Sequence, residues 1–128
     1  IKPNNHELSE IAGVKLTNDN EIVTAARMMQ AKGARNVLVS MAGDGALLLD
    51  EQGGVHRIGC PKGKVVNSVG AGDSMVAGFV AGYQQSGGDY AAALKLGTAC
   101  GSATAYSACL ASRDMIEAVL PAVEITTL

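Results

Sequence analysis

Apolar and polar residues follow two different periods along this chain, and each change of period marks an element. Ile1-Lys2-Pro3-Asn4 reads as the end of a strand, closed by Pro3, which has no N–H to give to a ladder. A short helix is predicted over residues 6–12, stopped by Gly13. Asn18-x-x-Glu21 has the spacing of a capping box. It opens a second helix on which Ile22, Val23, Ala26, Met29 and Gln30 run to a stop at Gly33. Residues 36–40 form a short apolar run, expected to be a buried parallel strand. Gly43-Asp44-Gly45 turns the chain into residues 46–50, Glu51-Gln52-Gly53-Gly54 is a hairpin signal, and residues 55–58 return before Pro61.

The β-branched run over residues 64–67 predicts another strand, followed by glycines and then a helical pattern. Met75, Val76, Phe79, Val80 and Tyr83 recur at helical spacing and are expected to form one buried face. That helix is expected to stop near Gly87-Gly88, and a small-residue helix to run over residues 89–110. Its Ala99, Gly101, Ala103 and Ala105 permit close approach by another helix, a backbone or a flat ligand, with helix packing the plainer reading. Ser112 can cap a last helix ending at Pro121, and residues 123–126 can form an edge strand. The order predicts a three-layer α/β fold: a mostly parallel sheet with one β-hairpin and helices on both faces.

Composition narrows the function classes. The 128 residues are 48% hydrophobic and 17% charged, which suits one globular domain with a core. One Phe, three Tyr and no Trp make that core aliphatic. A net charge of −2 without a basic cluster argues against nucleic acid as the partner. No stretch reads as a membrane span, since Lys95 and small polar residues interrupt the longest alanine-rich run. The cysteines are Cys60, Cys100 and Cys109, with no Cys-x-x-Cys pair. The last two share one predicted helix on opposite faces and are not expected to bridge, so the expected location is the reducing cytoplasm. His6 and His56 have no partners for a metal site or a triad and are expected to face solvent.

The chemistry concentrates at Gly70-Ala71-Gly72-Asp73, where a predicted strand hands over to a helix. The first N–H groups of a helix lack partners, and its dipole adds positive character there. With almost no side chain at positions 70–72, a phosphate can approach the backbone, beside the carboxylate of Asp73. A tight turn that merely starts a helix is the plainer reading of so short a pattern. No Gly-Lys-Ser/Thr follows, so this is not a Walker A loop, and Met75 excludes the Gly-x-Gly-x-x-Gly dinucleotide fingerprint.

Taken with its flanks, Asn67-Ser68-Val69-Gly70-Ala71-Gly72-Asp73-Ser74 resembles the second signature of the PfkB (ribokinase-like) carbohydrate kinases. Asn4 and Glu7 resemble that family's Asn-x-x-Glu element. Residues 40–45 resemble its nucleotide-phosphate turn, Ser-x-Gly-x-x-Gly, with Ala42 in place of the first Gly. The likeness covers essentially the whole chain and implies a ribokinase-like fold. Pro61-Lys62-Gly63-Lys64 and Gly101-Ser102-Ala103-Thr104-Ala105 are most similar to the phosphofructokinase-like branch.

The resemblance implies ATP as phosphoryl donor and Mg²⁺ as cofactor. Asp73 is implied as catalytic base, with Gly70, Ala71 and Gly72 as an anion hole. Ser40, Met41, Ala42, Gly43, Asp44, Gly45, Gly72 and Ser102 are implied at the nucleotide, and Asn4 and Glu7 at hydrated Mg²⁺. The implied acceptor is a phosphorylated ketohexose, fructose 1-phosphate first and tagatose 6-phosphate as its rival. Residues 1–128 are expected to be the C-terminal nucleotide-binding and catalytic part, with the sugar-binding half and lid outside them. The isolated piece is expected to be inactive and to pair with that half or with copies of itself. A nucleotide-binding or interaction module without chemistry is the competing class.

Overall fold

The computed structural model describes residues 1–128, which gather into two compact units: residues 1–57 with 126–128, and residues 58–125. In the first unit α1 (Asn5–Ala12) and α2 (Asp19–Ala31) precede β1 (Val37–Ser40), β2 (Ala46–Leu49) and β3 (Val55–Ile58), and β4 (Ile125–Thr127) completes the sheet. The second helix begins where the sequence predicts, and the first begins one residue earlier than expected, at Asn5. Asn4 caps α1 and Asn18 caps α2, each side chain accepting from the N–H three residues on. Gly13 ends α1 at φ 71°, a conformation glycine takes without steric cost.

The capping box expected at Asn18 forms by halves. The Glu21 carboxylate reaches one residue further back, to the Thr17 N–H at 2.6 Å and the Thr17 hydroxyl at 3.0 Å. Those hydrogen bonds hold Glu21 below the usual carboxylate range.

The sheet has the order β1-β2-β3-β4. Its β1–β2 ladder is antiparallel, with Val37 opposite Leu49 and Ser40 opposite Ala46, which corrects the expectation of a mostly parallel sheet within these residues. Parallel pairing is confined to the first residues: Leu38 donates to Ile1 O at 2.9 Å and Ser40 to Pro3 O at 3.1 Å. The short loop between β1 and β2 explains the difference, because parallel neighbours need a crossover of a dozen residues or more. Alternate residues Val37, Val39, Leu47 and Leu49 pack with Leu8, Ile22, Ala25, Ala26 and Met29 into one core. Leu38 and Leu48, pointing to the opposite face, are buried as well.

The hairpin is clamped from inside. Asp50 Oδ1 accepts from Gln52 N–H at 2.9 Å and Gly54 N–H at 2.8 Å, while Oδ2 lies 2.8 Å from His56 Nε2. His56 is therefore packed against a buried carboxylate and does not face solvent as expected. Burial alone would raise the Asp50 carboxyl; the His56 and backbone hydrogen bonds outweigh it and hold the group below its usual range.

The second unit contains α3 (Ala71–Gln85), α4 (Tyr90–Ala105) and α5 (Arg113–Val119). Residues 64–67 are not a strand: the Val66 and Asn67 N–H groups both go to Ala105 O, at 2.8 and 3.1 Å. With those donors taken by a helix end, no ladder can form there, whatever the β-branched content. The expected buried face of α3 is also corrected. Met75, Gly78 and Gly82 are buried, whereas Val76, Val80 and Tyr83 are exposed.

The reason lies in the glycines, which bring α3 against α4 at backbone distance. A Cβ on Gly97 would lie 2.8 Å from Met75 O, and one on Gly78 would lie 2.6 Å from Cys100 Sγ. Gly101, one of the small residues expected to allow close approach, also faces α3: a Cβ on it would lie 3.0 Å from Ala71 O. Helix α4 ends at Ala105, five residues short of expectation (110 − 105), so Cys109 is exposed outside it. All three cysteines are free.

Candidate functional site

The entrance of α3 is built from Asn67 onward. Asn67 Oδ1 accepts from Val69 N–H at 3.0 Å, which curls the chain toward Gly70. Gly70 stands at the helix N-cap with φ 82°, where any other residue is strained, and a Cβ there would meet Leu110 Cδ2 at 2.9 Å. Helical bonding starts with Ser74 N–H to Gly70 O at 2.9 Å.

Of the three amides predicted to form an anion hole, that of Ala71 is occupied, donating to Ser68 O at 3.2 Å. The N–H groups of Gly70, Gly72 and Asp73 have no acceptor within the protein, and no side chain caps the helix. Asp73 lies in the first turn and is exposed. A carboxylate, free amides and the positive end of a helix dipole thus share one short stretch of chain.

The predicted nucleotide turn belongs to the first unit. Ser40 ends β1 and pairs with Asn4, so the structure brings those two predicted site residues side by side. Ala42–Asp44 form one 3-10 turn, closed by Met41 N–H to Gly45 O at 2.8 Å and Gly45 N–H to Ala42 O at 3.0 Å. The N–H groups of Ala42 and Gly43 make no bond within the protein, and both residues are exposed. Met41 packs into the core, so only its backbone is on offer.

Ala42 departs from the signature's glycine yet keeps a positive φ of 47°. The turn therefore retains the shape that glycine would supply, at a steric cost of about 1–2 kcal/mol. Gly45, at φ 89° and ψ −133°, occupies a conformation that is essentially glycine's alone.

Asn4 and Glu7 form a reciprocal capping box: Asn4 Oδ1 accepts from Glu7 N–H, and Glu7 Oε2 accepts from Asn4 N–H, both at 2.8 Å. This accounts for their spacing without a metal. Oε1 of the exposed Glu7 carries no protein bond, which fits one contact to a hydrated divalent ion. No cluster of three or more acidic, His or Cys ligands accompanies it.

In the second unit Ser102 is buried on α4, its hydroxyl 3.8 Å from Cys60 Sγ. Cys60 Sγ is also 3.8 Å from the Tyr106 hydroxyl, which donates to Pro61 O. The Tyr106 ring leaves no room for a Cβ on Gly63, with its nearest atom 2.5 Å away, which explains the glycine in Pro61-Lys62-Gly63-Lys64. Burial and the neighbouring thiol push the Tyr106 phenol up to about 12. Residue types alone did not single out Cys60 or Tyr106; a turn glycine followed far downstream by a lone Tyr carries no sequence signal for their contact.

A profile described as "pfkB family carbohydrate kinase" matches residues 1–112. The chain belongs to the pfkB family of carbohydrate kinases. The Bacillus subtilis 1-phosphofructokinase is 46% identical over 128 residues, covering 100% of this chain and 42% of that protein. The Bacillus licheniformis D-tagatose-1-phosphate kinase is 38% identical over 129 residues, again covering 100% of this chain and 42% of that protein. A crystal structure from Staphylococcus aureus, described as a candidate phosphofructokinase, superposes with a TM-score of 0.94 at 41% identity, over 100% of this chain and 41% of that one.

The expected ribokinase-like α/β fold is thereby established. The chain spans about two-fifths of the length of the pfkB relatives it matches. No helix is long and apolar enough to cross a membrane.

Proposed function

We propose that the protein carrying these residues transfers a phosphoryl group from ATP to a hydroxyl of a ketohexose phosphate. Fructose 1-phosphate is the first choice, giving fructose 1,6-bisphosphate. The observation that carries this reading is the exposed Asp73 carboxylate in the first turn of α3, beside amides at Gly70 and Gly72 that have no acceptor. The similarity to 1-phosphofructokinases supports the acceptor. A relative named for D-tagatose 1-phosphate supports ketohexose 1-phosphates as the class, and makes the tagatose 6-phosphate alternative the weaker one.

In this mechanism the substrate hydroxyl oxygen attacks the γ-phosphorus as its bond to the ADP oxygen breaks, and the hydroxyl proton passes to Asp73. A carboxylate that accepts the proton late suits the loose transition state of phosphoryl transfer. The N–H groups of Gly70 and Gly72 meet the charge on the moving phosphoryl; such donors are typically worth about 3 kcal/mol each. Ala42 and Gly43 offer amides to the ATP phosphates, with Ser40, Asp44 and Gly45 fixing the turn, and Ser102 stands at the nucleotide base. Glu7, held by Asn4, would contact hydrated Mg²⁺, which supplies charge neutralisation on the phosphates.

Sugar recognition and the lid are assigned to the length of the relatives that these residues do not match, and these residues pair with that length or with copies of themselves. The 128-residue piece alone is accordingly inactive in this reading, and the working location is the cytoplasm. In the full-length protein, Asp73→Asn is expected to lower kcat by about 10²–10⁴-fold while the ATP KM moves little. Turnover near wild type removes Asp73 as the base. ATP binding without transfer to any ketohexose phosphate would favour the non-catalytic module.

A further inference from the structure

Thr104 is 2% exposed and lies in the last turn of α4, yet its hydroxyl is fully used. Thr104 Oγ1 accepts from Ala111 N–H at 3.1 Å and donates to Ser74 Oγ at 2.9 Å. Ser74 follows Asp73, and its own N–H makes the first helical bond, to Gly70 O at 2.9 Å. A single line of hydrogen bonds therefore runs from the segment after α4, through Thr104, to Ser74 in the first turn of α3. Two further contacts join the same segments. Ala105 O receives the Val66 and Asn67 N–H groups, and Leu110 Cδ2 sits over Gly70.

A valine would fill the Thr104 site equally well, so packing does not call for the hydroxyl. Burying one costs stability unless both its donor and its acceptor roles are met, as they are here. We infer that Thr104 is a positioning residue for phosphoryl transfer: through Ser74 it sets the placement of the first turn of α3, and with it Asp73 and the amides of Gly70 and Gly72. This rests on the kinase reading above. Thr104 itself touches no reacting atom; its effect is geometric, and small misplacements of catalytic groups cost up to about 10²-fold in rate.

The test uses the full-length protein with Thr104→Val, which keeps the shape and removes the hydroxyl, and Thr104→Ser, which keeps the hydroxyl. Thr98→Val, the same change on the same helix at a hydroxyl without a partner, is the control. With ATP and fructose 1-phosphate, Thr104→Val is expected to lower kcat about 10–100-fold with the ATP KM within about twofold. Thr104→Ser and Thr98→Val are expected to stay within about threefold of wild type in kcat. In the free protein, hydrogen exchange of the peptide spanning residues 69–75 is expected to quicken about tenfold in Thr104→Val, the loss of roughly one hydrogen bond, and to stay unchanged in Thr104→Ser.

Wild-type kcat in Thr104→Val, a Thr104→Ser enzyme as slow as Thr104→Val, or unaltered exchange over residues 69–75 in Thr104→Val each overturns the inference. Wild-type protein that transfers no phosphoryl overturns the kinase reading instead, and the exchange comparison then decides the role of Thr104 by itself.

Discussion

Gly97→Ala adds one methyl group, and the structure fixes what that methyl meets. The new Cβ would lie 2.8 Å from Met75 O and 3.2 Å from both Phe79 N and Phe79 Cβ. Two of these are backbone atoms in the middle of α3, so no side-chain rotation can relieve the contact, and the helices must part by a few tenths of an ångström. Overpacking of this kind costs about 1–3 kcal/mol, and an immovable carbonyl puts this case at about 2–3 kcal/mol. Against it stands the helix preference of Ala over Gly, about 1 kcal/mol. The net expectation is a loss of about 1–2 kcal/mol, or a fall of roughly 3–6 °C in thermal midpoint.

Gly59→Ala is the matched comparison. Its Cβ has no neighbour within 4 Å and its φ is not positive, so the same substitution should stabilise by about 0.4–1 kcal/mol through the unfolded chain. Urea unfolding of both variants, read as midpoints at equal slope, measures the two signs side by side. A Gly97→Ala protein at least as stable as wild type refutes the argument that backbone contact between α3 and α4 excludes a methyl.

Three further outcomes follow from single groups. Thr98 is 3% exposed and its hydroxyl has no partner, so Thr98→Val is expected to raise stability by about 1 kcal/mol, measured by the same unfolding curves. Ala42 holds φ 47°, so Ala42→Gly relieves about 1–2 kcal/mol of strain against about 0.4–1 kcal/mol of added chain entropy, a net gain of roughly 0.5–1 kcal/mol visible in the midpoint. The Asp50 carboxyl is held below its unfolded value, so its contribution is present above the usual Asp range and is lost as pH falls through the lower, folded value. Asp50→Asn should therefore flatten the acid limb of a stability–pH curve, and an unchanged limb would exclude Asp50 as its source.

How far the sequence led depended on whether a feature was local. Asn18, Gly13, the 43–45 turn and the 51–54 hairpin were all legible, because caps and turns are decided by residues within four positions of one another. The run at residues 64–67 misled for the opposite reason. Its β-branched residues state a preference, but a strand needs a partner edge, and Ala105 O takes its donors from 38 positions away (105 − 67).

The same gap explains the face of α3. Hydrophobic periodicity picks out Val76, Val80 and Tyr83, yet the buried side is the one with Gly78 and Gly82, since two helices at backbone distance bury glycine better than valine. Small residues matched across two helices therefore locate a contact where the apolar stripe alone points elsewhere. That argument extends to the candidate site. Gly101 lies with its missing Cβ 3.0 Å from Ala71 O, so the glycines that let α4 approach α3 also hold the turn that carries Asp73. In this chain the small-residue motif near position 101 and the glycine motif near position 71 are the two sides of one contact, and a change to either should be felt at the exposed amides of Gly70 and Gly72.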